Sequence, residues 1–153
     1  MRLQDIESLP PFYRDQVKAH LERFKKAAVA KRNKFHAIRC EDTLFPCLRG
    51  TVFSSKVERG YAHILAARLM AKEIHNLRFH PSYRIGPAGI HYLSDFEFAE
   101  DGKLVTVEVK GVETPRWKMI MQLWAVHGVH ELRVVKRTPA GLKVVKVIPG
   151  GGK

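Results

Sequence analysis

The chain has 153 residues, 45% hydrophobic and 27% charged, enough for one domain with a full core. No apolar run nears the roughly 18 residues of a membrane span, so no membrane is expected among its partners. Its 27 basic and 15 acidic residues leave a net charge of +12, which favours a polyanionic partner, for a soluble chain most often nucleic acid.

The first predicted helix starts after "SLPP", with Ser8 as its cap and prolines near the first turn. Tyr13, Val17, Leu21, Phe24 and Ala28 form its core-facing stripe, leaving Arg14, Lys18, Lys25 and Lys26 for solvent or a phosphate backbone. Around "AVAKRNKFHAIRCED" the pattern dissolves into a basic connector that carries Lys31, Arg32 and Lys34. From Arg14 to Arg39 nine basic residues stand against two acids, Asp15 and Glu22. Acids in "MRLQDIESLPPFYRDQ" occupy the place of a signal peptide's apolar region, so secretion is not expected. Cys40 and Cys47 fit neither a disulfide framework nor a zinc knuckle, and the expected compartment is a reducing cytoplasm.

"TLFPCLRGTVF" reads as short extended pieces around a turn at Arg49-Gly50. "SSKVERGYAHILAARLMAKEI" is the strongest helix, apolar along Val57, Tyr61, Ile64, Leu65 and Leu69, with Lys56 in its first turn. Ser55-x-x-Glu58 matches a capping box, in which the Glu side chain returns to the cap's backbone N–H. Extended segments follow: "LRFHPSYRI", a "GPAG" turn, "HYLSDFEF", an Asp101-Gly102 turn and "LVTVEVK". In "HYLSDFEF", Leu93, Asp95 and Glu97 share one face, and Tyr92, Ser94, Phe96 and Phe98 share the other. Thr114-Pro115 opens another helix with Trp117, Met121, Trp124 and Ala125 as its core stripe and Gly128 as its stop. Arg116 and Lys118 fall on that helix's exposed side, where contact with phosphate and plain solvation are equal readings. "ELRVV" and "LKVVKVI" close the chain as strands, with six basic residues and no acid after Glu131.

The expected fold is α/β, of α+β type on a mixed sheet, in the order α-α-β-β-β-α-β-β. A single domain would span 1–153: a basic N-terminal helix and connector over 1–40, a core over 41–148, and a flexible tail over 149–153.

Glu108-Val109-Lys110 ends the second strand of the Asp101-Gly102 hairpin, with Glu108 and Lys110 on one face. One reading is an ion pair at a fraying strand end. Asp95, 13 positions earlier on the neighbouring strand, offers another. Two close carboxylates in a basic chain suit an oxygen-coordinated divalent cation such as Mg²⁺, with Mn²⁺ an acceptable substitute. Such an ion neutralises a phosphate and lowers the pKa of a bound water, and Lys110 could stabilise charge at the scissile group. Glu97 belongs to no such set and reads as a solvated neighbour. The eight histidines show no zinc spacing, His127-x-x-His130 reads as a surface pair, and "PGGGK" is no phosphate loop.

"SDFEF" followed by "VEVKG" resembles the PD-(D/E)XK nuclease superfamily, with Asp95, Glu108, Val109 and Lys110 in the motif's slots. The resemblance extends to small phage-type endonucleases, including Holliday-junction resolvases: "NKF", the helix start "FSSKVE", the "DF…VEVKG" hairpin and a helix opened by "TP" recur in order over about residues 33 to 135. The motif's proline is absent, Ser94 standing before Asp95. By this resemblance Asp95 and Glu108 would be metal ligands, the Val109 carbonyl a third, and Lys110 the catalytic lysine. Glu58, 37 positions before Asp95, would take the slot of the helix acid that helps bind metal or its water, a role its place in a capping box contests.

The implied activity is Mg²⁺-dependent, structure-selective endonuclease action on branched or double-stranded DNA, foremost Holliday-junction resolution by paired cuts in a homodimer. The basic segments, with Lys56 and Lys118, would grip phosphates. A flap, fork or general double-strand nuclease, or a non-catalytic DNA-binding module, are the alternatives. If the chain is phage-encoded, its cytoplasm is the host cell's.

Overall fold

A computed structural model describes residues 39–42 and 44–151. The first predicted helix and its connector, with Arg14, Lys18, Lys25, Lys26, Lys31, Arg32 and Lys34, lie outside the described residues.

The unit Cys40–Lys153 begins with a two-stranded ladder, β1 (Cys40–Glu41) and β2 (Val52–Phe53), joined through a 3-10 turn at Pro46–Leu48. Helix α1 (Lys56–Met70) follows, and its N-cap Ser55 accepts the Glu58 N–H at 3.1 Å. Its buried face is Glu58, Tyr61, Ala62, Leu65 and Ala66, whereas Ile64 is 42% exposed. The predicted stripe is therefore rotated: two fully buried alanines, which cost little side-chain entropy, take the place expected for Ile64.

Five strands separate the two helices where three were expected: β3 (His75–Phe79), β4 (Ser82–Ile85), β5 (Ile90–Leu93), β6 (Phe96–Glu100) and β7 (Lys103–Val109). "LRFHPSYRI" breaks at His80-Pro81 and "HYLSDFEF" at Ser94-Asp95. Pro81 brings no N–H to a ladder, and His80 takes the left-handed backbone conformation, φ 49°. At the break the pairing changes hands: His80 N–H bonds the Asp95 carbonyl at 3.0 Å, and Asp95 N–H bonds the Val107 carbonyl at 3.2 Å. The pieces beyond the breaks, β4 and β5, form a hairpin of their own.

The main sheet has the order β3-β6-β7-β8-β9, where β8 is Glu131–Thr138 and β9 is Gly141–Ile148. All pairs are antiparallel except β7 with β8, which run parallel and are joined by helix α2 (Pro115–His127). Asp101 and Gly102 both have positive φ, 50° and 75°, as in the primed hairpin turn whose twist matches its strands. Thr114 caps α2 by accepting the Trp117 N–H at 3.2 Å, and the helix ends at His127, before Gly128.

The sheet is covered on both faces. On the α1 side Phe53, Tyr61, Leu65, Phe96, Phe98, Val105 and Val107 form one core; on the α2 side Tyr92, Trp117, Ile120, Trp124, Leu132 and Val134 form another. Ile120 takes the inward position expected for Ala125, which is exposed. Alternation along β7 assigns Val105 and Val107 to the first core, and turns Thr106 and Glu108 to the second face. Glu108 thus reaches the end of the sheet beneath the β4–β5 hairpin.

Candidate active site

Asp95 stands at the junction between hairpin and sheet, and its Oδ2 accepts the Val109 N–H at 2.6 Å. That bond fastens the start of β6 to the end of β7 and sets Asp95 beside the Glu108-Val109-Lys110 triplet. Glu108 is buried. The Tyr92 hydroxyl donates to its Oε2 at 2.6 Å, and its Oε1 pairs with the Lys110 ammonium. Lys110 also lies over the Trp117 ring, 4.9 Å from its centroid. The expected ion pair of Glu108 with Lys110 is present, inside a larger constellation.

Glu58 is the third carboxylate. Its Oε2 accepts the Ser54 N–H at 2.8 Å, one residue before the cap, where the motif predicted Ser55. Its Oε1 meets His80 Nε2 at 2.9 Å. His80 thereby links Glu58, through its ring, to Asp95, through its backbone N–H. Glu58 is at once a capping residue and a member of the cluster.

The three carboxylates feel one another. Burial pushes the Asp95 carboxyl well above the ordinary range, and the charges of Glu108 and then Glu58 push it further, against the Val109 N–H and Lys110. Burial likewise raises Glu108, opposed by Lys110 and the Tyr92 hydrogen bond, with Glu58 adding to the rise. Three acids against one lysine is an arrangement short of positive charge. Its donors are oxygens, which hard divalent cations such as Mg²⁺ prefer, so the donor set fits such an ion. Among the described residues no three His, Cys, Asp or Glu side chains already stand as a metal cage. Each acid is turned to a protein donor instead, Lys110 and Tyr92 for Glu108, Ser54 and His80 for Glu58, Val109 for Asp95.

Lys56 and Lys118 are exposed, on the first turns of α1 and α2. Glu97 is not the solvated neighbour expected. It is 4% exposed, because the hairpin folds Tyr83 over it: Tyr83 donates to it at 2.5 Å and Arg78 at 2.8 Å. Tyr83 and His130 both meet the Thr106 hydroxyl, at 2.9 and 2.6 Å, so His130 belongs to this buried network and only His127 is exposed as expected. Tyr92 and His80 were not singled out from sequence. His80-Pro81 carried a signal, since a proline inside a strand pattern marks an edge or a break; an isolated Tyr in a strand carried none. Cys40 and Cys47 are both free thiols.

A mixed sheet flanked by helices, with a carboxylate–lysine cluster at the end of its central hairpin, is the frame in which the chain can be compared with others. The family model described as "Protein of unknown function (DUF1064)" matches residues 46–140, more than half of the chain, and the protein belongs to that family. The match runs from the 3-10 turn to β8 and so includes Glu58, Asp95, Glu108 and Lys110. No curated protein matches the chain. Among the described residues no helix is long and apolar enough to cross a membrane.

Proposed function

We propose that this chain is a metal-dependent, structure-selective DNA endonuclease of PD-(D/E)XK type, foremost a Holliday-junction resolvase acting as a homodimer. The observation that carries the reading is the convergence of Asp95, Glu108 and Glu58, three mutually repelling carboxylates, with Lys110 held against Glu108. Asp95 and Glu108 would hold Mg²⁺, or Mn²⁺ in its place, with the Val109 carbonyl and Glu58 as further donors. A bound ion of this kind polarises the scissile phosphate and lowers the pKa of its water.

Lys110 has two partners to exchange. Its ammonium neutralises Glu108, and its place over Trp117 lets it swing on an apolar surface towards a developing phosphorane charge. Tyr92 keeps Glu108 oriented while Lys110 moves, and the Val109 N–H does the same for Asp95. His80 and Ser54 hold Glu58 in place and leave it to orient a water. Water attacks phosphorus in line, the P–O3′ bond breaks, and the ends are a 5′-phosphate and a 3′-hydroxyl. The net charge of +12 supports a polyanionic substrate, and paired cuts on opposed strands require the two-fold symmetry of a dimer.

Cleavage of a four-way junction, a fork and a linear duplex, side by side in Mg²⁺, tests this reading. Symmetric paired cuts confined to the junction are the expected result. Equal cutting of all three leaves a general nuclease, and no cutting in either Mg²⁺ or Mn²⁺ overturns the enzyme.

A further inference from the structure

Helix α2 buries Trp117, Ile120 and Trp124, so its period sets Met119, Gln122 and Val126 as the ridge opposite. That ridge faces solvent: Met119 is 41% and Val126 61% exposed, and Val129, just beyond the helix, is 67% exposed. A surface helix ordinarily carries its charges on this side. Here Met119 to His130 is the longest run without Asp, Glu, Lys or Arg, in a chain that is 27% charged. Beside the ridge, between α2 and the end of β9, lies a groove of about 510 Å³. Met121, Ala125, Val147, Ile148 and Pro149 line it, together with Lys118, Lys146 and a Glu113 that pairs with Lys136.

An apolar ridge and an apolar groove side by side on one helix are self-complementary. A two-fold axis lays the ridge of each copy in the groove of the other. Charge selects this occupant. At +12, two copies repel wherever their basic surfaces meet, and the ridge is where they can close without setting cation against cation. Nucleic acid, by contrast, draws its affinity from lysines and arginines, and the ridge holds none. We infer that this face is a homodimer interface, in which α2 packs against α2 of a second copy. A 13-residue helix is about 20 Å long, which suits an interface of the smaller class and an affinity on the order of micromolar. On the nuclease reading, on which this role rests, the interface also sets the spacing of the two cuts. Trp117, over which Lys110 lies, is in the first turn of the same helix, so α2 links each cluster to its partner's.

Sedimentation velocity of the full chain from about 1 to 100 µM, without DNA or metal, reads the interface. Wild type should pass from monomer to dimer across that range. Val126→Glu on the ridge and Val147→Glu in the groove should each weaken the dimer about tenfold or more, because each puts an acid into an apolar contact. Leu44→Glu, at an apolar residue 68% exposed and outside this face, should leave the dimer unchanged. Val126 and Val147 are both exposed, and either variant that melts with wild type decides the question. A wild type that stays monomeric to the top of the range, or a dimer that Val126→Glu and Val147→Glu leave intact, overturns the interface. A supercoiled plasmid with an extruded cruciform keeps this test apart from the nuclease reading: paired cuts linearise it, and Val126→Glu should only nick it. A dimer that dissociates as expected but cuts nothing sinks the nuclease and leaves the interface standing. Paired cuts that survive in Val126→Glu and Val147→Glu sink the interface and leave the nuclease.

Discussion

Replacing Tyr92 by Phe deletes one atom from the site and tests how Glu108 is held. The ring keeps its neighbours, Trp117 at 6.2 Å and Trp124 at 5.6 Å between centroids, so packing changes little. What is lost is a 2.6 Å hydrogen bond from a buried hydroxyl to a buried carboxylate. Burial, with the Glu108 charge adding to it, holds the Tyr92 hydroxyl protonated across the accessible pH range. A hydrogen bond to a charged group contributes about 1.5–3 kcal/mol, and Lys110 remains to neutralise Glu108, so a loss of about 2 kcal/mol at pH 8 is expected. The sign with pH follows from the direction of each effect. Tyr92 favours the charged form of Glu108, against the burial that raises its pKa. The loss is therefore complete above the raised pKa and shrinks as pH falls through it. Urea unfolding of both proteins at pH 8 and pH 5, in chelator, measures the difference. A cost below about 0.5 kcal/mol, or one that grows in acid, would refute a carboxylate held by Tyr92.

Asp95→Asn should change the pH profile of the metal-free protein. The folded-state pKa of Asp95 is raised by burial and by its acidic neighbours, so the folded chain keeps a proton that the unfolded chain has lost. Wild-type stability then declines as pH climbs from the ordinary carboxylate value of about 3.9 towards the raised one, and the variant should flatten that decline in thermal melts with chelator. The proposed role of Glu58 in cleavage is separated from its capping contact by two substitutions. Glu58→Gln keeps an acceptor for the Ser54 N–H and should cost little stability while lowering cleavage; Glu58→Ala should cost about 1–2 kcal/mol as well, read by urea unfolding. Glu97→Ala removes the acceptor of the half-buried Tyr83 and the exposed Arg78, and with Thr106 still in reach of Tyr83 it should cost about 1–1.5 kcal/mol. It should spare cleavage measured well below the melting point, since Glu97 serves the hairpin and not the cluster.

The residues of the candidate site were legible where local signals coincide with long-range pairing. Asp101-Gly102 fixes the β6–β7 hairpin, and its register, Phe96 opposite Val107, sets Asp95 beside the end of β7. Thr114-Pro115 and Ser55-x-x-Glu58 likewise mark the two helix starts. The hairpin β4–β5 was hidden because alternation of apolar and polar residues continues through Ser94-Asp95. Period alone does not say which strand lies next door, and there the partner changes from β4 to β7. The two polar residues that Tyr83 of that hairpin covers were misjudged for the same reason. Glu97 and His130 are polar on a strand and beyond a helix end, yet Tyr83 closes over both. Tyr92 became a partner of Glu108 only through the same fold-over. On α1, Ile64 outranks alanine in hydrophobicity, but Tyr61 and Leu65 set the buried face and Ala62 and Ala66 fall within it.

The central claim is that Asp95 and Glu108 hold a metal that cuts DNA. Wild type, Asp95→Asn and Glu108→Gln, compared on one four-way junction for binding without metal and cleavage with Mg²⁺, test it most directly. The account predicts junction binding within about twofold for all three and cutting by wild type alone. Cutting that persists in either variant, or binding lost in step with it, would contradict the claim and return both carboxylates to the fold.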